Sequence, residues 1–201
     1  MNRIRSRIPS HSYVGEKWKT NLSNKRRLVE DFRHRCAYCD DYDGFSGGSK
    51  TYHVDHFAPK SKFKELEFVY ENLMYSCPYC NTAKKDKWVG YDSKISVIND
   101  EGFINPCSIE YDRHFFRDDR GNIKPLTNLG SYMYRELKLY LSRHRIIYNL
   151  DKINSQIQQL KIKKENGENT KKIDKIYNEL FKAFNEYYNE FLENINNDDE
   201  L

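Results

Sequence analysis

The stretch Thr51-Tyr52-His53-Val54-Asp55-His56-Phe57-Ala58-Pro59-Lys60 lies between two cysteine pairs, Cys36-Ala37-Tyr38-Cys39 and Cys77-Pro78-Tyr79-Cys80. Tyr52, Val54 and His56 alternate with His53, Asp55 and Phe57, the period of a short strand. Gly44, Gly47 and Gly48 ahead of it mark a loop, and Pro59 ends regular pairing. A carboxylate beside an imidazole at a strand end suits a metal-assisted hydrolase, in which the carboxylate holds a hard cation and the neutral imidazole takes a proton from water. A hydrogen-bonded structural pair would use the same two residues, so this stretch alone leaves both readings open.

The cysteines add an order of their own. Each pair leaves two residues between its thiols, the spacing that turns both sulfurs of one tight turn towards a single tetrahedral ion. Two such turns supply a closed, structural four-cysteine zinc site from Cys36, Cys39, Cys77 and Cys80. A redox role for one CxxC is the competing reading. Cys39 and Cys77 are separated by 37 residues, more than the roughly 15–20 of a compact zinc ribbon, so something is inserted between the knuckles. Cys107, in Asn105-Pro106-Cys107-Ser108, has no partner and reads as a small buried residue. Glu71-Asn72-Leu73 precedes the second knuckle, which opens directly into a basic helical stretch, Asn81-Thr82-Ala83-Lys84-Lys85-Asp86-Lys87.

In this order the residues resemble the HNH (ββα-metal) endonucleases of the four-cysteine type. That family's pattern is CxxC, an acid-histidine pair with a nearby proline, Asn-Leu, then CxxC-Asn and a lysine three positions on. Cys36 and Cys39, Asp55 and His56 with Pro59, Asn72-Leu73, Cys77 and Cys80, Asn81 and Lys84 stand in that sequence, over about 50 of the 201 residues. The resemblance implies that His56 is the general base and that Asp55 and Asn81 hold one catalytic Mg²⁺ or Mn²⁺. It makes Asn72 the brace of the hairpin loop and the four cysteines the ligands of a structural Zn²⁺ that clamps the ββα unit. Lys84 would contact a phosphate, or else be a solvated lysine beside Lys85 and Lys87. His53, two residues from Asp55 on the same strand face, would be a further ligand or phosphate contact, or simply face water.

Composition bounds the rest. The chain has 201 residues, with 34 Lys+Arg against 30 Asp+Glu and a formal charge of +4, room for one domain or one domain with an appendage. With 32% charged residues and no run near the ~20 apolar residues of a spanning helix, a bilayer-spanning helix is excluded. The 16 Tyr, 11 Phe and 2 Trp exclude disorder throughout. Met1 to Ser12 has the charge of a secretory leader but no apolar stretch behind it, so the expectation is a cytoplasmic protein with reduced cysteines. Met1 to Arg35 holds ten basic residues against three acids, and Asp151 to Leu201 eight lysines against eleven acids. That asymmetry suits a polyanion at the front and a protein at the back, although solvated surface accounts for a charge bias equally well.

Residues 1–15 show no periodicity and are expected to form a flexible basic arm. Trp18, Leu22, Val29 and Phe32 predict a helix feeding the first knuckle. Residues 91–130 read as an irregular connecting segment, with Asp119-Arg120-Gly121-Asn122 as a tight turn between short extended pieces. Ile146, Leu150, Ile153, Ile157 and Leu160 form one helical stripe, and Ile173, Ile176, Leu180, Phe184, Tyr187, Phe191 and Ile195 a second after a Gly-containing interruption. The pair predicts an antiparallel helical hairpin within residues 131–201. Tyr177, Phe181 and Tyr188 broaden its second stripe, as on a helix that seeks a partner surface or self-associates.

The resulting expectation is an α+β, mostly helical protein: a basic arm (1–15), an HNH ββα-metal nuclease domain with its N-terminal helix and zinc knuckles (16–90), a connecting segment (91–130), and a C-terminal helical hairpin (131–201). The phrases Asn105-Pro106-Cys107, Asp112-Arg113-His114-Phe115 and Gly121-Asn122-Ile123 also resemble the segment downstream of the motif in HNH proteins of bacterial defence operons. By that looser resemblance the chain is similar to the HNH subunit of Septu-type anti-phage systems, which implies DNA as substrate and an ATPase partner. A stand-alone restriction-type HNH endonuclease, a non-cutting zinc-stapled nucleic-acid-binding protein, and an interaction protein built on the hairpin remain the alternatives.

Overall fold

The computed structural model describes residues 2–17, 20–168 and 170–196. It is a helix-rich α+β protein with small antiparallel sheets, and it divides into two compact units, Met1–Leu141 and Ser142–Leu201. Among the described residues no helix is long and apolar enough to cross a membrane.

The first unit is built on a ββα element. Strand β1 (His53–His56) pairs antiparallel with β2 (Leu73–Ser76), with Asp55 opposite Met74 and His56 opposite Leu73. Every residue of β2 is buried, whereas β1 goes from exposed His53 to buried Asp55 and His56, so the site end of the hairpin is the end that enters the core. Helix α2 (Pro78–Lys84) follows at once. Proline at its first position is pre-set for a helix start, and the Cys77 sulfur accepts from the Cys80 backbone N–H as the cap. The knuckle and the helix start are therefore one structure. Helix α2 packs on β1.

Helix α1 (Asn21–Asp31) leads into the first knuckle. It starts later than the predicted stripe, after Thr20; Trp18 and the Leu22 side chain lie outside the described residues. Leu28 and Phe32 are buried. The helix ends in a Schellman turn, with Arg33 N donating to Glu30 O and His34 N to Val29 O, at 3.1 and 2.9 Å. Arg33 and His34 both have positive φ, +50° and +61°, where a residue with a Cβ costs roughly 1–2 kcal/mol.

Residues 2–15 are not a loose arm. Ile4 and Arg5 are buried, and Asn2 bridges Arg117 through hydrogen bonds in both directions. The Arg5 guanidinium donates to Asp112 Oδ1 at 2.7 Å, to Pro106 O at 2.7 Å and to Ala37 O at 3.1 Å. Those acceptors lie far along the chain, so their pairing leaves no periodic signal in residues 1–15.

Residues 91–130 likewise do more than connect. They carry the hairpin β3 (Val97–Ile98) and β4 (Glu101–Gly102), the short helix α3 (Ile109–Asp112), and the hairpin β5 (Phe115–Arg117) and β6 (Ile123–Pro125). The predicted turn closes that last hairpin, with Gly121 at φ +90°. Phe103, Tyr111, Phe115 and Ile123 join one core with Leu28, Tyr38, Tyr52 and Tyr75. Arg117 is fully enclosed and donates to Ile4 O, Gly121 O and Cys39 O at 2.8–2.9 Å, tying leading segment, turn and first knuckle together. Helix α4 (Asn128–Glu136) also belongs here rather than to the hairpin: Leu129, Met133 and Leu137, four residues apart, are buried in the same core.

The second unit is the antiparallel pair α5 (Ser142–Glu165) and α6 (Lys171–Asn196). Gly167 at φ +86° ends the first helix. Near one end Ser142 Oγ donates to Asn194 Oδ1 at 2.6 Å and Arg145 pairs with Glu190; near the other Lys164 Nζ pairs with Asp174 at 2.5 Å. Phe181, Tyr188 and Leu192 of α6 are exposed.

Candidate active site

Four sulfurs and one carboxylate-imidazole pair are assembled by the ββα element. Cys36, Cys39, Cys77 and Cys80 are each at most 1% exposed, and their Sγ atoms all lie within 4.8 Å of one another, with Cys39 and Cys77 at 3.7 Å. Sulfurs bound at about 2.3 Å around a tetrahedral ion stand about 3.8 Å apart, so the cluster has the size and the soft donors that zinc takes. Burial pushes the thiols of Cys39, Cys77 and Cys80 up. It opposes ionisation of Cys36 too, but hydrogen bonds with Cys39, Cys77 and Cys80 pull that thiol down. A buried group of four thiols that concentrates negative charge on one sulfur is a site suited to a cation.

His56 is 9% exposed. Its Nε2 lies 3.0 Å from the Glu67 carbonyl; a carbonyl only accepts, so this nitrogen carries the proton and Nδ1 is left as the acceptor. Burial lowers the His56 pKa, against the opposing pull of the Glu67 carbonyl, and the neutral ring is favoured near pH 7. Asn72, 8% exposed, accepts from Ala58 N at 2.8 Å and donates to Ala58 O at 3.0 Å and Leu66 O at 3.3 Å. It thereby closes the long loop between β1 and β2, which also carries Glu67.

Asp55 is buried, and burial raises its pKa, while Lys84 and Tyr38 hold it down. Tyr38, between the first two cysteines, donates its hydroxyl to Asp55 Oδ2 at 2.5 Å. Lys84 is completely buried. Its ammonium donates to His56 O at 2.8 Å and stands 3.3 Å from Asp55 Oδ2. This corrects both sequence readings of Lys84: it is neither a solvated lysine nor a surface contact for phosphate, because the fold turns it inward onto the carboxylate. Asn81 is half-buried on α2, one turn before Lys84 and so on the same helical face. His53 is exposed at the outer end of β1. Cys107 is partly buried, with its Sγ 3.9 Å from Met74 Sδ, and burial pushes its thiol up to about 12. His34 pairs with Asp43 at 3.0 Å.

Residues 36–87 match the family model of the HNH endonucleases. The match starts at the first zinc-knuckle cysteine and ends just past α2, about a quarter of the chain. No curated protein and no solved structure matches the chain.

Within this HNH segment three contributions have no signature in a linear motif. The Glu67 partner of His56 is a backbone carbonyl, which any residue supplies. Tyr38 is one aromatic among 16 Tyr, and only its place inside a CxxC pair singles it out. Lys84 reads like its neighbours until burial is known. Tyr38→Phe is expected to retain zinc and to cost roughly 1.5–3 kcal/mol, because it removes a donor from a buried carboxylate. Urea unfolding with metal analysis checks this, and wild-type stability would show that the hydroxyl contributes nothing there.

Proposed function

We propose that the protein is a metal-dependent HNH endonuclease that hydrolyses phosphodiester bonds of DNA. The observation that carries the reading is the placement of His56: a buried, neutral imidazole oriented through Nε2, beside Asp55 and inside the segment that matches the HNH family. In this reading Nδ1 of His56 accepts the proton of the attacking water, the Glu67 carbonyl keeps the ring in the required tautomer, and Asn72 keeps the loop that carries Glu67 in place. The Asp55 carboxylate and the Asn81 amide oxygen are hard donors suited to Mg²⁺ or Mn²⁺. When bound, such a cation supplies charge neutralisation at the phosphate and at the departing oxygen. Lys84 and Tyr38 align Asp55 and offset part of the rise in its pKa that burial causes.

Plasmid nicking tests the reading. Supercoiled DNA is expected to be cut with Mg²⁺ or Mn²⁺ and left intact with EDTA. Intact DNA under all metal conditions, alone and with the product of a neighbouring gene, would leave the non-cutting zinc-stapled DNA-binding protein as the better account.

The finer reading is the nuclease subunit of a Septu-type anti-phage system, acting in the cytoplasm beside an ATPase. It is supported by the layout of an N-terminal helix, an HNH unit and a helical hairpin, and by the exposed Phe181, Tyr188 and Leu192 on α6. If an ATPase gene adjoins this one, co-expression is expected to yield a complex that Phe181→Glu with Tyr188→Glu disrupts. Absence of such a complex would favour the stand-alone restriction-type enzyme.

A further inference from the structure

Next to the first knuckle is a cavity of about 360 Å³, within the roughly 300–1,000 Å³ of ligand sites. Its walls come from the leading segment, the end of α1 and the start of the knuckle, and include Arg5, Arg7, Arg33 and Arg35 against Asp31 and Asp40. His56, Asp55 and Asn81 do not line it. Both carboxylates are engaged by the protein. Asp31 accepts from Ser12 N, Ser12 Oγ and Tyr70 OH, while Asp40 accepts from Ser6 N and pairs with Arg35. Arg5 is held by Asp112. Arg7 and Arg33 are exposed and have no carboxylate partner among the described residues.

The backbone at Arg33 is a second, independent observation. This residue occupies the Schellman position after α1 at φ +50°, where glycine is the usual and less strained choice. The chain instead places a guanidinium there, at the cavity wall. Residues in strained conformations cluster at active sites and ligand clamps. Guanidinium groups without carboxylate partners form the donor fork that matches phosphate oxygens.

We propose that this arginine-lined cavity holds a phosphate group of the substrate backbone, with Arg7 and Arg33 as its donors, apart from the phosphate that is cut. The proposal rests on the nuclease reading in that its ligand is DNA. It turns the general positive charge of residues 1–35 into one defined contact: the cavity anchors the strand while His56 acts elsewhere along it.

The test uses the full chain and a labelled DNA duplex, without added Mg²⁺ or Mn²⁺, with binding followed by anisotropy over a range of salt. Arg7→Ala with Arg33→Gly is expected to weaken binding about tenfold and to reduce the log-log salt slope by about two. Arg33→Gly alone is expected to keep or raise the melting temperature, because it relieves the positive φ, so its loss of binding cannot be ascribed to misfolding. Lys175→Ala with Lys182→Ala on α6, both lysines well exposed, removes the same charge and is expected to leave binding within twofold of wild type. Equal weakening by this control pair would overturn the defined contact in favour of diffuse charge. Wild-type affinity and slope in the arginine variant would overturn the proposal while leaving the nuclease reading intact. A wild-type chain that neither binds nor cuts DNA would instead remove the nuclease reading. Inorganic phosphate is the remaining probe: sub-millimolar binding abolished in the arginine variant, with its DNA affinity unchanged, would assign the cavity to a free anion and overturn the backbone assignment.

Discussion

Replacing His56 with alanine is expected to lower plasmid cleavage by roughly 10²–10⁴-fold, the range that general-base catalysis contributes, with zinc content unchanged. His56 is a terminal residue of β1 whose ring is held through a hydrogen bond to the Glu67 carbonyl, and the backbone pairing with Leu73 does not depend on the ring. Loss of one carbonyl contact and some buried ring surface costs about 1–3 kcal/mol, too little to unfold a domain with roughly 5–15 kcal/mol of stability. A rate loss of several decades with a modest change in melting temperature therefore separates chemistry from folding. Cleavage at the wild-type rate by His56→Ala would show that another group takes the proton.

Removing the zinc is expected to have the larger effect on stability. Structural zinc in small sites contributes on the order of 10 kcal/mol, comparable to the whole stability of a domain. In this chain an ion among the four sulfurs would hold the turn before Asp41 against the start of α2, and Cys77 would be at once its ligand and the helix cap. Metal analysis is expected to find one zinc per chain. Cys77→Ser, or a zinc-selective chelator in excess Mg²⁺, is expected to lower the melting temperature by at least about 10 °C, as a loss of about 4 kcal/mol does for a protein of this size. Cleavage is expected to be lost as well, because Tyr38, which holds Asp55, sits inside the first knuckle. A metal-free protein with native melting behaviour would show that the four thiols pack without an ion.

The parts legible in the sequence are those whose physics is local. CxxC spacing sets where two sulfurs of one turn can point, and the fold gathers all four. Period-two alternation over residues 52–57 gives a strand, and β1 spans His53–His56. The stripes from Ile146 and from Ile173 become α5 and α6, with the Gly-containing interruption between them. Each of these signals depends on residues a few positions apart.

Long-range pairing behaves differently. Ile4 and Arg5 read as part of a charged tail, yet Arg5 reaches Asp112 across 107 positions. Phe103, Tyr111 and Phe115 sit among turn residues without a period, yet they complete the core around the first knuckle. The segment from 91 to 141 is thus part of the body that supports the HNH element.

Spacing along the chain was enough to pick out the two cysteine pairs as candidate zinc ligands, whereas Asp55 with His56, and Asn72, Asn81 and Lys84 downstream, were named through the resemblance to the HNH endonucleases. Spacing dictates which donors one turn, strand or helix face can present. The surroundings of those residues came from three-dimensional packing alone. Packing turned Lys84 inward onto Asp55, set the Glu67 carbonyl against His56, and brought Arg7 and Arg33 to the wall of one cavity. Burial and the identity of a distant partner arise from chain closure over many residues, and no local pattern encodes them.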